Sequence, residues 1–290
     1  MIKTVIKIAL ASLIASSAMS PAFAAKEGDV TINGNAEQST QVYGGNTTTA
    51  TVARTSADTS IGFVNDSTIN GEFKQQTLVF AGNLTTAAGI GANADTRIGG
   101  TINTDIQDLF QQTNVAGFNS TSALGVGADA QTDIGFIDGL VGKGDVSQTT
   151  NMEGANITLA AGLNSDAYTR IGYIRDTEVN GNVTQETWMV GANTTTALGL
   201  PYTDAITEIG SIADSDISGE LRQNTVMIGN NNTFAGGVGA DAETYVGAID
   251  NTTVNGQLVQ KTYMGGFNLT SAAGADADAC TTIGGMGKSC

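Results

Sequence analysis

Seven copies of the triplet Gln-x-Thr, almost evenly spaced, constrain this chain more than any other feature. They start at Gln38, Gln75, Gln111, Gln148, Gln185, Gln223 and Gln260, with spacings of 37, 36, 37, 37, 38 and 37 residues. Self-similarity at such a period marks an array whose units bury their faces against one another. The seven units occupy nearly the whole chain, which leaves no room for a second domain.

Within a unit the restricted positions recur every second residue. Two places after the glutamine stands Thr in all seven units, and four places after it Val or Met, from Val42 to Met264. Eight places after it stands Asn: Asn46, Asn83, Asn119, Asn156, Asn193, Asn231 and Asn268. Thr follows at ten and Ala at twelve, while the intervening positions vary freely (Gln41, Leu78, Asn114, Trp188). A two-residue period predicts extended strand with one face fixed and the other free. Like residues at equal spacing fit stacked rungs, in which each Gln or Asn side chain bonds to its copy above and below. Both families of residues are therefore candidates for amide ladders. The free face carries Phe80, Trp188, Tyr263 and Phe267. It calls for a rung folded back on itself to bury part of it, or for lateral packing on another filament.

A second strand is predicted in each unit from the pattern Ala-x-Thr-x-Ile/Val-Gly, as at Ala57, Thr59, Ile61 and Gly62. Glycine-rich corners join the two strands. One stretch, 236–247 (GGVGADAETYVG), approaches the calcium-binding nonapeptide of β-rolls, but it occurs once per unit rather than in tandem. It reads as a corner followed by a strand. After the second strand come turn residues such as Asn65-Asp66-Ser67 and Asn70-Gly71. The expected fold is an all-β solenoid of seven rungs, each with at least two strands.

Residues 1–24 read as a secretory signal: Lys3 and Lys7, an apolar run, then Ala22-Phe23-Ala24. The expected organisation is that leader, a lead-in at 25–31, the solenoid at 32–284 and a tail at 285–290. Without the leader the chain has 10 basic and 28 acidic residues, which disfavours nucleic acid as a partner. No segment of the mature chain is apolar enough to span a membrane. There is no histidine, so the commonest general base and metal ligand is missing; neither an enzyme nor a cofactor is expected. Cys280 and Cys290 close the chain and form a possible disulfide in an exported protein. Ahead of the second strand, Asp129, Asp166, Asp204, Asp241 and Asp278 make a column. It reads as a solvated corner, with calcium bridging as the alternative.

Gly-rich units with recurrent Gln and Asn resemble bacterial functional-amyloid fibre subunits. The Q-x-T-x5-N core and long unit look more like the major subunit of Fap-type fibres than like the shorter curli repeat. That family has fewer repeats with long linkers, and a CxxC pair where this chain has nine residues between its cysteines. The resemblance implies export across the outer membrane of a Gram-negative-type bacterium by dedicated machinery, homopolymerisation, and a place in biofilm matrix. The alternative is a surface solenoid that does not polymerise and binds a ligand or mediates adhesion. An ice-binding surface is disfavoured because the Thr columns share the restricted face.

Overall fold

The computed structural model describes residues 6–9 (backbone only), 30–52 and 54–287. Among these, all regular structure is β-strand. Parallel ladders stack the chain into a solenoid of seven turns, numbered here by their glutamines. Turn 4 shows the common plan. The long strand Val146–Ala161 leads through a corner to the middle strand Ala167–Ile171, then to two short strands, Ile174–Arg175 and Glu178–Val179. Each part pairs with its equivalents in the turns before and after, so that Gln111, Gln148 and Gln185 stand side by side, as do Asn119, Asn156 and Asn193. The middle strands follow the same rule, with Thr132, Thr169 and Thr207 in file.

The fixed faces of the long and middle strands are turned towards each other. One aliphatic cluster joins the Val/Met column (Val115, Met152, Met189) to the Ile column of the middle strand (Ile134, Ile171, Ile209). A second, built from Ala alone, fills the narrow end near the corner (Ala160, Ala167, Ala197, Ala205). A third cluster, mostly Ile, Leu and Val with Phe73 and Ala36 in its first turns, fills the opposite end, under the short strands (Val146, Ile174, Val179, Leu221). Small residues at one end and branched ones at the other give the turn its taper. The β-branched residues suit these strands because their stiff side chains pack well on a pleated surface.

The folded-back segment thus covers the restricted face and leaves the free one open, contrary to the expectation that it would bury part of the free face. Trp188 is 42% exposed and Phe267 78%. The number of strands per turn is also larger than the two legible in the sequence. The short strands are only two residues long, too short to carry a periodic signal. Their first counterpart, Val30–Ile32, is three residues long and pairs with Ser67–Ile69, so the ladder starts ahead of residue 32. At the other end Met286 bridges to Ile249, two residues past the expected boundary. Ile6–Ala9 runs parallel to Ala36–Ser39 along the outer edge of turn 1.

Two glycine columns make the stacking possible. Within the long strand, Gly117, Gly154, Gly191, Gly229 and Gly266 hold φ between 122° and 141°. A methyl group on any of them would collide with a backbone carbonyl of the preceding turn. After the middle strand, Gly135, Gly172 and Gly210 sit at φ near 60° with the Thr150, Thr187 and Thr225 side chains against them. Only glycine combines that backbone with that lack of room. At the next turn Asp66, Asn103, Asp176, Asp214 and Asn251 take left-handed φ values of 42–49°, a conformation Asn and Asp tolerate best among residues with side chains.

Gly191→Val should lower unfolding free energy by about 3 kcal/mol or more, since it adds backbone strain and a collision in one step. Urea unfolding of the purified protein measures this; an unchanged midpoint would contradict the close backbone approach.

Candidate functional site: the polar columns and the open ends

The recurrent glutamine, asparagine and threonine columns lie inside the solenoid rather than on it. Gln148, Asn156, Thr150 and Thr158 are fully buried, as are their equivalents in turns 3 and 5 to within 1% exposure. A buried amide without partners costs several kcal/mol, so each column must be satisfied from within.

The asparagine ladder is complete. Nδ2 of Asn46, Asn83, Asn119, Asn156, Asn193 and Asn231 each donates to Oδ1 of the asparagine in the following turn, at 2.7–2.8 Å. The glutamine ladder runs the other way: Gln75, Gln111, Gln148, Gln185 and Gln223 donate to Oε1 of the preceding glutamine at 3.0–3.3 Å. The same nitrogens donate to the carbonyls of Gly62, Gly99, Gly135, Gly172 and Gly210 at 2.5–2.8 Å. The glycine corner and the glutamine column therefore hold each other in place. The ladder stops short of the seventh glutamine. Gln260 turns its amide to the Gly247 carbonyl, and Oε1 of Gln223 is left buried without a donor. Turn 7 has no successor among the described residues to hold Gln260 in file.

Threonine does something that periodicity within one strand does not reveal. Hydroxyls of the long and middle strands alternate in a single zigzag across the interior. Thr281 donates to Thr270, Thr270 to Thr244 and Thr244 to Thr233. The chain continues through Thr207, Thr195, Thr169, Thr158, Thr132, Thr121, Thr96, Thr85 and Thr59 to Thr48. All of these contacts are 2.7–2.9 Å. A hydroxyl both donates and accepts, so one file of threonines satisfies itself along the entire solenoid and sews the two layers together.

The columns end on open edges. Among the described residues, Leu258–Ala273 and Asp278–Ile283 of turn 7 pair with turn 6 alone, and Asn46–Ala50 and Ser56–Ile61 of turn 1 with turn 2 alone. Core columns surface there: Ile283 is 47% exposed, whereas Ile98, Ile134, Ile171 and Ile209 are wholly buried. Donor direction makes the two ends complementary. Turn 1 offers the Oδ1 of Asn46, the Nε2 of Gln38 and the hydroxyl proton of Thr48, none of which is used in its own ladder. Turn 7 presents Oε1 of Gln260, a second lone pair of Thr281, and Nδ2 of Asn268, which with no following asparagine turns to the Thr270 and Thr281 hydroxyls at 3.3 Å.

Asp129, Asp166, Asp204, Asp241 and Asp278 lie on successive turns, as the period requires, with Asp204 paired beside Asp241 and Asp241 beside Asp278. The carboxylates of Asp129 and Asp166 accept backbone N–H groups of Asp166 and Asp204 at 3.3 and 3.0 Å. Among the described residues no three Asp, Glu, His or Cys converge as metal ligands would. Cys280 is disulfide-bonded, and Cys290 lies outside the described residues. Desolvation raises the Asp204 carboxyl to about 6, with Asp166 and Asp241 adding repulsion. Asp95, on the middle strand, is raised to about 7 by desolvation in spite of Arg97, and Asp133 and Asp58 push the same way.

An open groove flanks the middle and short strands of turns 4 to 6, lined in part by Tyr168, Arg170, Tyr173, Arg175, Glu208 and Tyr245. Arg170 lies over the rings of Tyr168 and Tyr173, and Arg175 over Tyr173. Among the described residues no helix is long and apolar enough to cross a membrane. Compared with family models, characterised proteins and solved structures, the chain matches none. Its activity has to be read from the columns and the ends.

Two outcomes test this geometry. Asn156→Leu strands a donor on Asn119 and an acceptor on Asn193, and should cost about 3 kcal/mol in urea unfolding; a cost under about 0.5 kcal/mol would contradict a working ladder. Carboxyls raised in the folded state bind protons more tightly there than in the unfolded chain, where they titrate near ~4. Their contribution is present at low pH and lost as pH rises through about 6 to 7. The melting temperature should fall from pH 5 to pH 8, and fall less in Asp95→Asn; a rise would contradict the assignment.

Proposed function

We propose that this protein is a secreted structural subunit that polymerises end to end into amyloid-like extracellular fibres. The observation that carries this reading is the complementarity of its open ends. Placing turn 1 of one copy on turn 7 of another lets Asn268 donate to Asn46, Gln38 to Gln260 and Thr48 to Thr281. Each bond continues a ladder in the direction it already runs. An interface between two different surfaces of one molecule does not close on itself and so propagates, and unpaired parallel strand edges are the usual template for such growth.

The Fap-like pattern of the repeats supports a role in biofilm matrix or surface adhesion, with the leader at 1–24 and an outer-membrane exporter delivering the chain. Ile6–Ala9 lies along the turn 1 edge that a second copy would use, so loss of the leader frees the growing surface. The groove of Tyr168, Arg170 and Tyr245 favours the second reading, a surface solenoid that binds a ligand. The two readings separate on assembly.

Fibres of residues 25–290 should repeat every ~34 Å, seven turns at ~4.8 Å each, in cryo-electron micrographs. The double variant Asn268→Lys/Thr281→Lys should fold, fail to elongate, and block wild-type fibres at substoichiometric amounts. Wild-type chains that stay monomeric at high concentration would favour the ligand-binding reading instead.

A further inference from the structure

The core does not distinguish one turn from the next. Gln148 would stack on Gln223 as well as on Gln185, and the Asn, Thr and Ala columns are equally indifferent. Repetition of this kind leaves register weakly specified: a chain could skip a turn, or two chains could interleave theirs.

The outward column of the middle strand removes that freedom. Its members in turns 1 to 7 are Ser60, Arg97, Asp133, Arg170, Glu208, Tyr245 and Thr282, neighbours in the parallel ladder. From turn 2 to turn 5 basic and acidic side chains alternate. Nη1 of Arg170 is 3.7 Å from Asp133, and its Nε is 3.4 Å from Glu208 on the other side. Two further ion pairs join equivalent segments one period apart, Asp138 to Arg175 at 2.9 Å and Asp105 to Lys143 at 2.8 Å.

Sequential stacking sets opposite charges side by side. Skipping one turn would set Arg97 beside Arg170 and Asp133 beside Glu208. Stacking two copies like on like would set every charge against itself. The separation in each case is about 4.8 Å. The side chains of Asp133, Arg170 and Glu208 are only 3%, 16% and 18% exposed, so water and salt screen the repulsion poorly. At the two ends the column carries hydroxyls, Ser60 and Thr282, and an end-to-end junction meets no such penalty.

We propose that Arg97, Asp133, Arg170 and Glu208 form a register code: each internal turn accepts only its sequence neighbour, and a second copy joins only at the ends, where this column is uncharged. The second clause rests on the fibre reading; the first concerns how a single chain folds and holds without it.

The test uses mature protein, half of it 15N-labelled, unfolded and refolded as a mixture under conditions where it stays soluble. A carbodiimide then links Lys143 to Asp105 across their ion pair, and mass spectrometry asks whether both peptides carry the same isotope label. Wild type should give same-label links. With all four code residues changed to Gln the column is still able to stack, but it no longer discriminates. Mixed-label links should then rise by about tenfold or more. The inverted code, Arg97→Asp, Asp133→Arg, Arg170→Asp and Glu208→Arg, keeps the alternation and should restore same-label links. Same-label links alone in the Gln variant, or mixed-label links in the inverted one, would overturn the code. If the Gln variant does not fold, the inverted chain decides by the same criterion. Because the readout is chain register in soluble protein, it is unaffected if fibres never form.

Discussion

Everything in this solenoid depends on a buried polar side chain finding its own copy one turn away. An amide or hydroxyl removed from water is costly alone and nearly neutral when fully bonded. The interior is lined with Gln, Asn and Thr at almost no exposure, so it holds only while the turns remain aligned. Alignment in turn needs backbones that approach closely, which is what the glycine columns at 117–266 and 135–210 permit. Polar columns, glycine and period are thus one constraint seen three ways.

That constraint gives the ends their character. Most soluble repeat proteins close their terminal turns with a polar cap. Here the last described strands carry the same residues as internal ones, with Asn268 and Thr281 in the places of Asn231 and Thr244. The Asn ladder donates towards the following turn and the Gln ladder towards the preceding one, so the two ends of the stack present different donors and acceptors. Charge works alongside. The chain is strongly acidic, yet the column that holds Arg97, Asp133, Arg170 and Glu208 ends on the neutral Ser60 and Thr282.

Much of this was legible in the sequence, because identity at a fixed spacing reports stacking directly. The seven glutamines, the seven asparagines, the second strand from Ala57 to Ala279 and the Asn/Asp corners fall where the period puts them. The rest depended on which faces meet. A strand's alternation says that one face is fixed but not what covers it, so the middle strand could not be placed on the Met152 face in advance. The Thr158 to Thr169 to Thr195 zigzag crosses between two strands, and no pattern within either reveals it. Strands of two residues leave no period. The charge code was hidden for a different reason: Arg97, Asp133, Arg170 and Glu208 differ from turn to turn, which looks like free variation until they are seen in one column.

Distances between turns test the stacking most directly. Gln76 and Lys261 occupy the same outward position in turns 2 and 7, beside the glutamine column. Spin labels there, read by pulsed electron resonance on the monomer, should give one narrow distance near ~24 Å, five turns at ~4.8 Å each. A broad distribution, or a mean beyond ~40 Å as a chain without stacked turns would show, would contradict the alignment on which the columns, the code and the open ends all rest.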